Sequence, residues 1–119
     1  MTKADKERQL WSQSMRSCWI CGSVLNLQTH EIASRAKTKE WRHVENYVRA
    51  CQLCHAMNLS WMPTDSQLAL KLLHDPEHFD SGLINRLRGR AETAVTAEDV
   101  KKWMLLFVAL RQRGEVPFR

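Results

Sequence analysis

Residues 18–22 read CWICG and residues 51–55 read CQLCH. These two stretches decide the fold. A CxxC pair places two thiolates on one side of a tight turn, at a bite that suits a tetrahedral ion. The pairs Cys18/Cys21 and Cys51/Cys54 together complete four-coordination and leave no open position, which marks a structural rather than a catalytic site. A redox CxxC needs no second copy. An iron–sulfur cluster is the other chemistry that the spacing admits, and the tetrahedral all-sulfur set favours Zn²⁺.

Outward from the cysteines, the chain reads as α+β and mostly helical. Lys3 to Met15 is rich in helix formers, with Leu10, Trp11 and Met15 on an apolar face. Gly22 supplies the positive φ that a tight cysteine turn needs. Leu25, Leu27 and Thr29 alternate with Asn26, Gln28 and His30, and that period of two predicts a strand. Residues 33–45 are polar and basic and read as a loop; Tyr47 to Ala50 return as a second strand. A helix is expected from the second cysteine pair towards Trp61, with Pro63 beyond its end. A knuckle, a hairpin and a helix carrying the second pair form a treble-clef arrangement, here over residues 15–62.

Residues 64–113 read as a helical extension within one domain spanning 1–119. Thr64-Asp65 is the expected cap of an amphipathic run. Residues 74–78, HDPEH, read as a capped turn rather than as a metal pair made by His74 and His78. Thr96 and Asp99 resemble a capping box. They open a helix whose stripe is Val100, Trp103, Met104, Phe107 and Leu110. The apolar run from Trp103 to Leu110 is broader than one face requires, which fits burial on two sides or a homodimer interface. Trp11, Trp61 and Trp103 are expected in the core.

The 119 residues carry a formal net charge of +5, with 44% hydrophobic and 26% charged residues. Those proportions are ordinary for a soluble globular chain. The surplus of Lys and Arg suits a polyanion, because clustered cations release counterions from phosphates. The charged start MTKADKERQ is unlike a secretory signal, and no apolar stretch approaches the roughly 20 residues of a membrane span. The expectation is therefore a cytoplasmic chain with no membrane partner, whose thiols stay reduced and free for metal.

CWICG, THEI and VENYVRACQLCH together resemble the HNH endonuclease superfamily with its ββα-metal core, in the cysteine-bearing branch. The likeness covers Cys18 to about Trp61. It implies that His30 and His55 hold a catalytic divalent metal such as Mg²⁺ or Mn²⁺, beside the structural zinc. It implies that Asn46 holds the loop by hydrogen bonds. Glu31 stands where family members usually carry a histidine as general base, so this is an HE variant of the first motif. Glutamate there serves as a weaker base or as an extra ligand. Against these roles stand plainer ones: His30 as a hydrogen-bonded strand residue, Glu31 as a partner for a nearby arginine, His55 as a helix cap and Asn46 as a turn residue. Strand alternation also sends His30 and Glu31 to opposite faces unless a bulge intervenes.

Arg35, Lys37, Lys39, Arg42 and Arg49 surround Trp41, as a phosphate-gripping loop with a stacking ring or as a solvated loop with an anchor. Arg86, Arg88 and Arg90 form a second basic cluster. His43 is another candidate base. Two functions follow from the resemblance: a metal-dependent endonuclease that nicks or cuts DNA, or a catalytically inactive treble-clef module that binds nucleic acid or protein.

Overall fold

A computed structural model describes residues 2–36, 38–89 and 94–115. Lys37 and Arg90, named above in the basic clusters, lie outside the described residues. The elements run α1 (Lys3–Ser14), β1 (Leu27–Glu31), β2 (Tyr47–Cys51), α2 (Gln52–Met57), α3 (Thr64–His74), α4 (Ser81–Arg88) and α5 (Ala97–Gln112). Short 3₁₀ turns cover Val44–Asn46, Leu59–Trp61 and Pro76–His78. The fold is thus α+β, mostly helical, around one antiparallel hairpin. No helix among the described residues is long and apolar enough to cross a membrane.

Local chemistry accounts for most of the boundaries. Thr2 caps α1 through a reciprocal capping box with Asp5. Trp11 is the buried residue of that helix, whereas Leu10, expected beside it, is 65% exposed. Gly22 has φ +79°, as its place after the first pair requires. Its N–H closes the knuckle on the Cys18 carbonyl at 2.9 Å, and the Trp19 N–H hooks the knuckle onto the Arg49 carbonyl of β2 at 3.0 Å. The hairpin pairs Gln28 with Ala50, His30 with Val48 and Glu31 with Tyr47.

Three expectations are corrected. The helix after the second cysteine pair stops at Met57: buried Asn58 leaves helical geometry, and the chain tightens into the 3₁₀ turn Leu59–Trp61. That turn sends Leu59 and Met62 inward and Trp61 outward, so Trp61 is 83% exposed rather than core. The expected cap Thr64-Asp65 lies inside α3. Its N-cap position is Pro63, which offers no capping side chain; the Ser66 hydroxyl donates to the Pro63 carbonyl instead.

The helical half closes on α3, which packs along α5 and over β2. On α5, Val100 and Phe107 are buried, Trp103 and Met104 are half-buried, and Leu105, Leu106 and Val108 remain exposed. Thr96 accepts from the Asp99 N–H at the start of this helix.

One fully buried charge sits in this core. Lys71 Nζ donates to the carbonyls of Val44 (2.7 Å) and Tyr47 (2.8 Å) and to Asp75 Oδ2 (2.9 Å). The Trp11 indole N–H donates to the same Asp75 oxygen at 2.8 Å. Burial pushes the Lys71 amine down from its usual range, opposed by Asp75. The network joins α1, α3, the turn before β2 and the first residue of β2. Asp75→Ala strands the ammonium in the core and is expected to cost about 3–5 kcal/mol of unfolding free energy. Urea titration followed by tryptophan fluorescence reads the loss.

His74 lies flat on Trp19, with centroids 5.3 Å apart and planes 10° apart, and its Nε2 accepts from Arg111 Nη2 at 2.8 Å. Burial, reinforced by the Arg111 charge, pushes its pKa from 6.5 down to about 4. The unfolded ring takes its proton first, so the stabilisation from the neutral ring is complete above pH 6.5 and is lost as pH falls towards 4. Urea titrations across that window should show wild type losing stability relative to His74→Gln. A constant gap between the two counts against this account.

Candidate metal centres

The knuckle and the β2–α2 junction bring the four cysteines together. Their sulfurs all lie within 4.8 Å of one another, with Cys18, Cys51 and Cys54 buried and Cys21 half-buried. The Cys21 and Cys51 sulfurs are 3.7 Å apart, close to the edge of about 3.8 Å of a tetrahedron with Zn–S bonds of about 2.3 Å. Backbone N–H groups of Ile20 and Cys21 point at the Cys18 sulfur, and that of Cys54 at the Cys51 sulfur. Burial alone would push the Cys51 thiol up, but the Cys54 N–H and the surrounding thiols outweigh it and bring it down to about 7. A thiol that ionises near neutral pH readily gives up its proton to a metal. The four residues are positioned to bind one metal ion, consistent with structural zinc.

A second constellation lies on one face of the hairpin. His30 on β1 and His55 on α2 meet edge to face, with His55 Nε2 3.1 Å from His30 Nδ1. Each remaining ring nitrogen faces a glutamine oxygen: His30 Nε2 lies 2.8 Å from Gln67 Oε1, and His55 Nδ1 lies 2.7 Å from Gln28 Oε1. Burial pushes the His30 pKa down, and the neighbouring His55 adds to the fall. Gln28 and Gln67 were not singled out in the sequence. Gln28 shares the strand face of His30 two residues on, a periodicity that could have flagged it. Gln67 comes from α3 and carries no such signal.

Glu31 is not part of this pair. Its Oε1 accepts from Arg35 Nε at 2.7 Å, and the Arg35 guanidinium lies 3.7 Å from the Trp41 ring centre. Asn46 is completely buried. Its Oδ1 accepts from the Ala33 N–H at 2.6 Å, and its Nδ2 donates to the carbonyls of Ala33 and Trp41. It therefore ties both ends of the 33–41 loop to the hairpin.

The basic residues divide. Arg42 is exposed, 5.0 Å from the Trp41 ring centre, and Lys39 is exposed. Arg8, from α1, approaches the same ring at 5.6 Å. Arg49 is spent as a strut: Nε donates to the Met15 carbonyl, Nη1 to the Thr29 hydroxyl and Nη2 to the Ser12 carbonyl. His43 is exposed in a cleft with Lys3, Glu7 and Glu40. His78 bonds to Asp75, so residues 74–78 form the expected turn, and the four cysteines are the one group of three or more metal-ligand side chains within reach of each other among the described residues.

Comparison with protein-family models, with curated proteins and with solved structures finds no match to this chain.

The purified chain is expected to carry about one equivalent of zinc, and Co²⁺ exchanged into that site should give the thiolate charge-transfer bands of a four-sulfur centre. Cys54→Ser should lose the metal and unfold at markedly lower temperature, because metal binding and folding are coupled. Elemental analysis and thermal melts check both.

Proposed function

We propose that this chain is a metal-dependent, HNH-type endonuclease that hydrolyses DNA phosphodiester bonds, built on a treble-clef frame closed by structural zinc. The observation that carries the reading is the approach of His30 Nδ1 to His55 Nε2 at 3.1 Å, with both outer ring nitrogens turned to glutamine oxygens. The two inner nitrogens stand at hydrogen-bond distance from each other; with both outer nitrogens carrying the hydrogens, the lone pairs left facing each other would take a cation between them. Two metal–nitrogen bonds of about 2.1 Å at roughly a right angle span this distance.

In this reading His30 and His55 hold a divalent metal, Mg²⁺, Mn²⁺ or another ion. When bound, such an ion supplies charge neutralisation for a phosphodiester in its transition state. The chain's own residues position the substrate. Asn46 fixes the 33–41 loop beside the hairpin. Arg35 and Arg42 flank Trp41 there, and with Lys39 they offer the backbone of DNA a positive, ring-bearing surface. Arg49 has no part in that surface, since its donors serve α1 and β1. Glu31 orients Arg35 over Trp41; its carboxylate is engaged away from the paired histidines, and no proton transfer is assigned to it.

That same engagement of Glu31 favours a second reading, in which the frame binds nucleic acid without cutting it. The two readings separate in one experiment. Supercoiled plasmid is incubated with the zinc-loaded chain and added Mg²⁺, Mn²⁺, Co²⁺ or Ni²⁺. Nicking that needs added metal and falls at least about 100-fold in His55→Ala supports the nuclease. Salt-sensitive binding with no cleavage under any metal supports the module. Cleavage that persists undiminished in His55→Ala sinks the site assignment.

A further inference from the structure

Gln67 is 93% buried on α3, at 7% exposure. Its amide nitrogen donates to two carbonyls, Met62 at 2.9 Å and Leu59 at 3.4 Å. A side-chain oxygen cannot make those two bonds, so the amide has one orientation, with Oε1 facing His30 Nε2 at 2.8 Å. That oxygen only accepts, so His30 Nε2 carries a hydrogen. A neutral imidazole has one N–H. The lone pair of His30 therefore sits on Nδ1, the atom that faces His55 Nε2.

The donor set is equally specific. The nearest acid in sequence, Glu31, is held by Arg35. No third histidine, cysteine or carboxylate joins the pair at ligand distance among the described residues. Two neutral imidazoles without a carboxylate suit borderline transition ions; Mg²⁺ and Mn²⁺ prefer oxygen ligands.

We propose that Gln67 is a positioning residue that selects the His30 tautomer and so makes His30 and His55 a nitrogen-only site for an ion of the Co²⁺, Ni²⁺ or Zn²⁺ class. This rests on the reading of the two histidines as metal ligands, and it names the class of metal they take. The glutamine does not touch the ion. It works by holding one ring so that the correct nitrogen is bare, as outer partners of ligating histidines do.

The test uses the full chain with its four-cysteine site filled by zinc and its histidine rings labelled with ¹⁵N. Long-range ¹H–¹⁵N spectra report each tautomer, and calorimetry with Co²⁺ and with Mg²⁺ reports binding. Absence of thiolate charge-transfer bands places the Co²⁺ outside the cysteine site. In wild type, His30 is expected as the Nε2–H form, with Co²⁺ bound at least about 100-fold more tightly than Mg²⁺. Gln67→Met, with a dispersed amide spectrum, is expected to give mixed His30 tautomers and Co²⁺ affinity lower by about 10–100-fold.

Unchanged tautomer and affinity in that variant overturn the role of Gln67 and leave the metal pair standing. Wild-type Co²⁺ binding no tighter than Mg²⁺ overturns the metal class. Wild type that takes up neither Co²⁺ nor Mg²⁺ beyond the cysteine site overturns the proposed function with it. Should Gln67→Met fail to fold, a wild-type His30 carrying its hydrogen on Nδ1 overturns the inference without any variant.

Discussion

Four thiols gathered within 4.8 Å of one another are the constraint around which the first half of the molecule is arranged. Cys21 and Cys51 are thirty residues apart in sequence and 3.7 Å apart at their sulfurs. A metal bridging them would remove roughly 3–4 kcal/mol of chain entropy from the unfolded state, on the loop-closure estimate used for disulfides. A two-stranded hairpin is marginal alone in water. Here its ends are pinned: the knuckle hooks onto β2, and Cys51 and Cys54 bind the start of α2 to the same point. The helix that carries His55 is only six residues long. Its first turn carries Cys54, so a metal held by the four thiols would fix it over β1.

A second node serves the other half. Lys71 and Asp75 lie one helical turn apart on α3, and neither reaches solvent to any extent. Desolvating such a pair is costly, and it is tolerated when every hydrogen-bond valence is met. Two backbone carbonyls and the Trp11 indole meet them. The ammonium also lies 4.9 Å from the Trp11 ring centre and 5.6 Å from that of Trp19. Because its partners come from α1, from the turn before β2 and from the first residue of β2, this pair fixes where α3 runs. The course of α3 in turn delivers Gln67 to His30.

The two histidines therefore depend on both nodes. The thiol cluster places His55, the buried pair places Gln67, and the hairpin register places His30 and Gln28 between them. The opposite strand face is a separate environment. There Thr29 meets Arg49, and Glu31 meets Arg35 above Trp41. A pleat that alternates faces gives neighbouring residues different chemistry, which is how one dipeptide, His30-Glu31, serves two surfaces.

Much of this was legible in the chain. The spacing of Cys18, Cys21, Cys51 and Cys54, the glycine after the first pair, the alternation in β1 and the cap at Thr96 are local signals, set by bond geometry over a few residues. Alternation also required His30 and Glu31 to part. What the sequence could not say was which face each would take, or who waits there. Gln67 is 37 residues from His30, and Asp75 is 64 from Trp11. The exposure of Trp61 turns on one buried asparagine that ends α2 early. Arg49 reads as a cation for phosphate, whereas each of its three nitrogens donates to the end of α1 or to β1. Ligand spacing is a property of a few consecutive bonds, so the sequence by itself determined it. Ring orientation, and the partners that charged side chains meet, come from the packing of distant elements, so only the tertiary structure decided them.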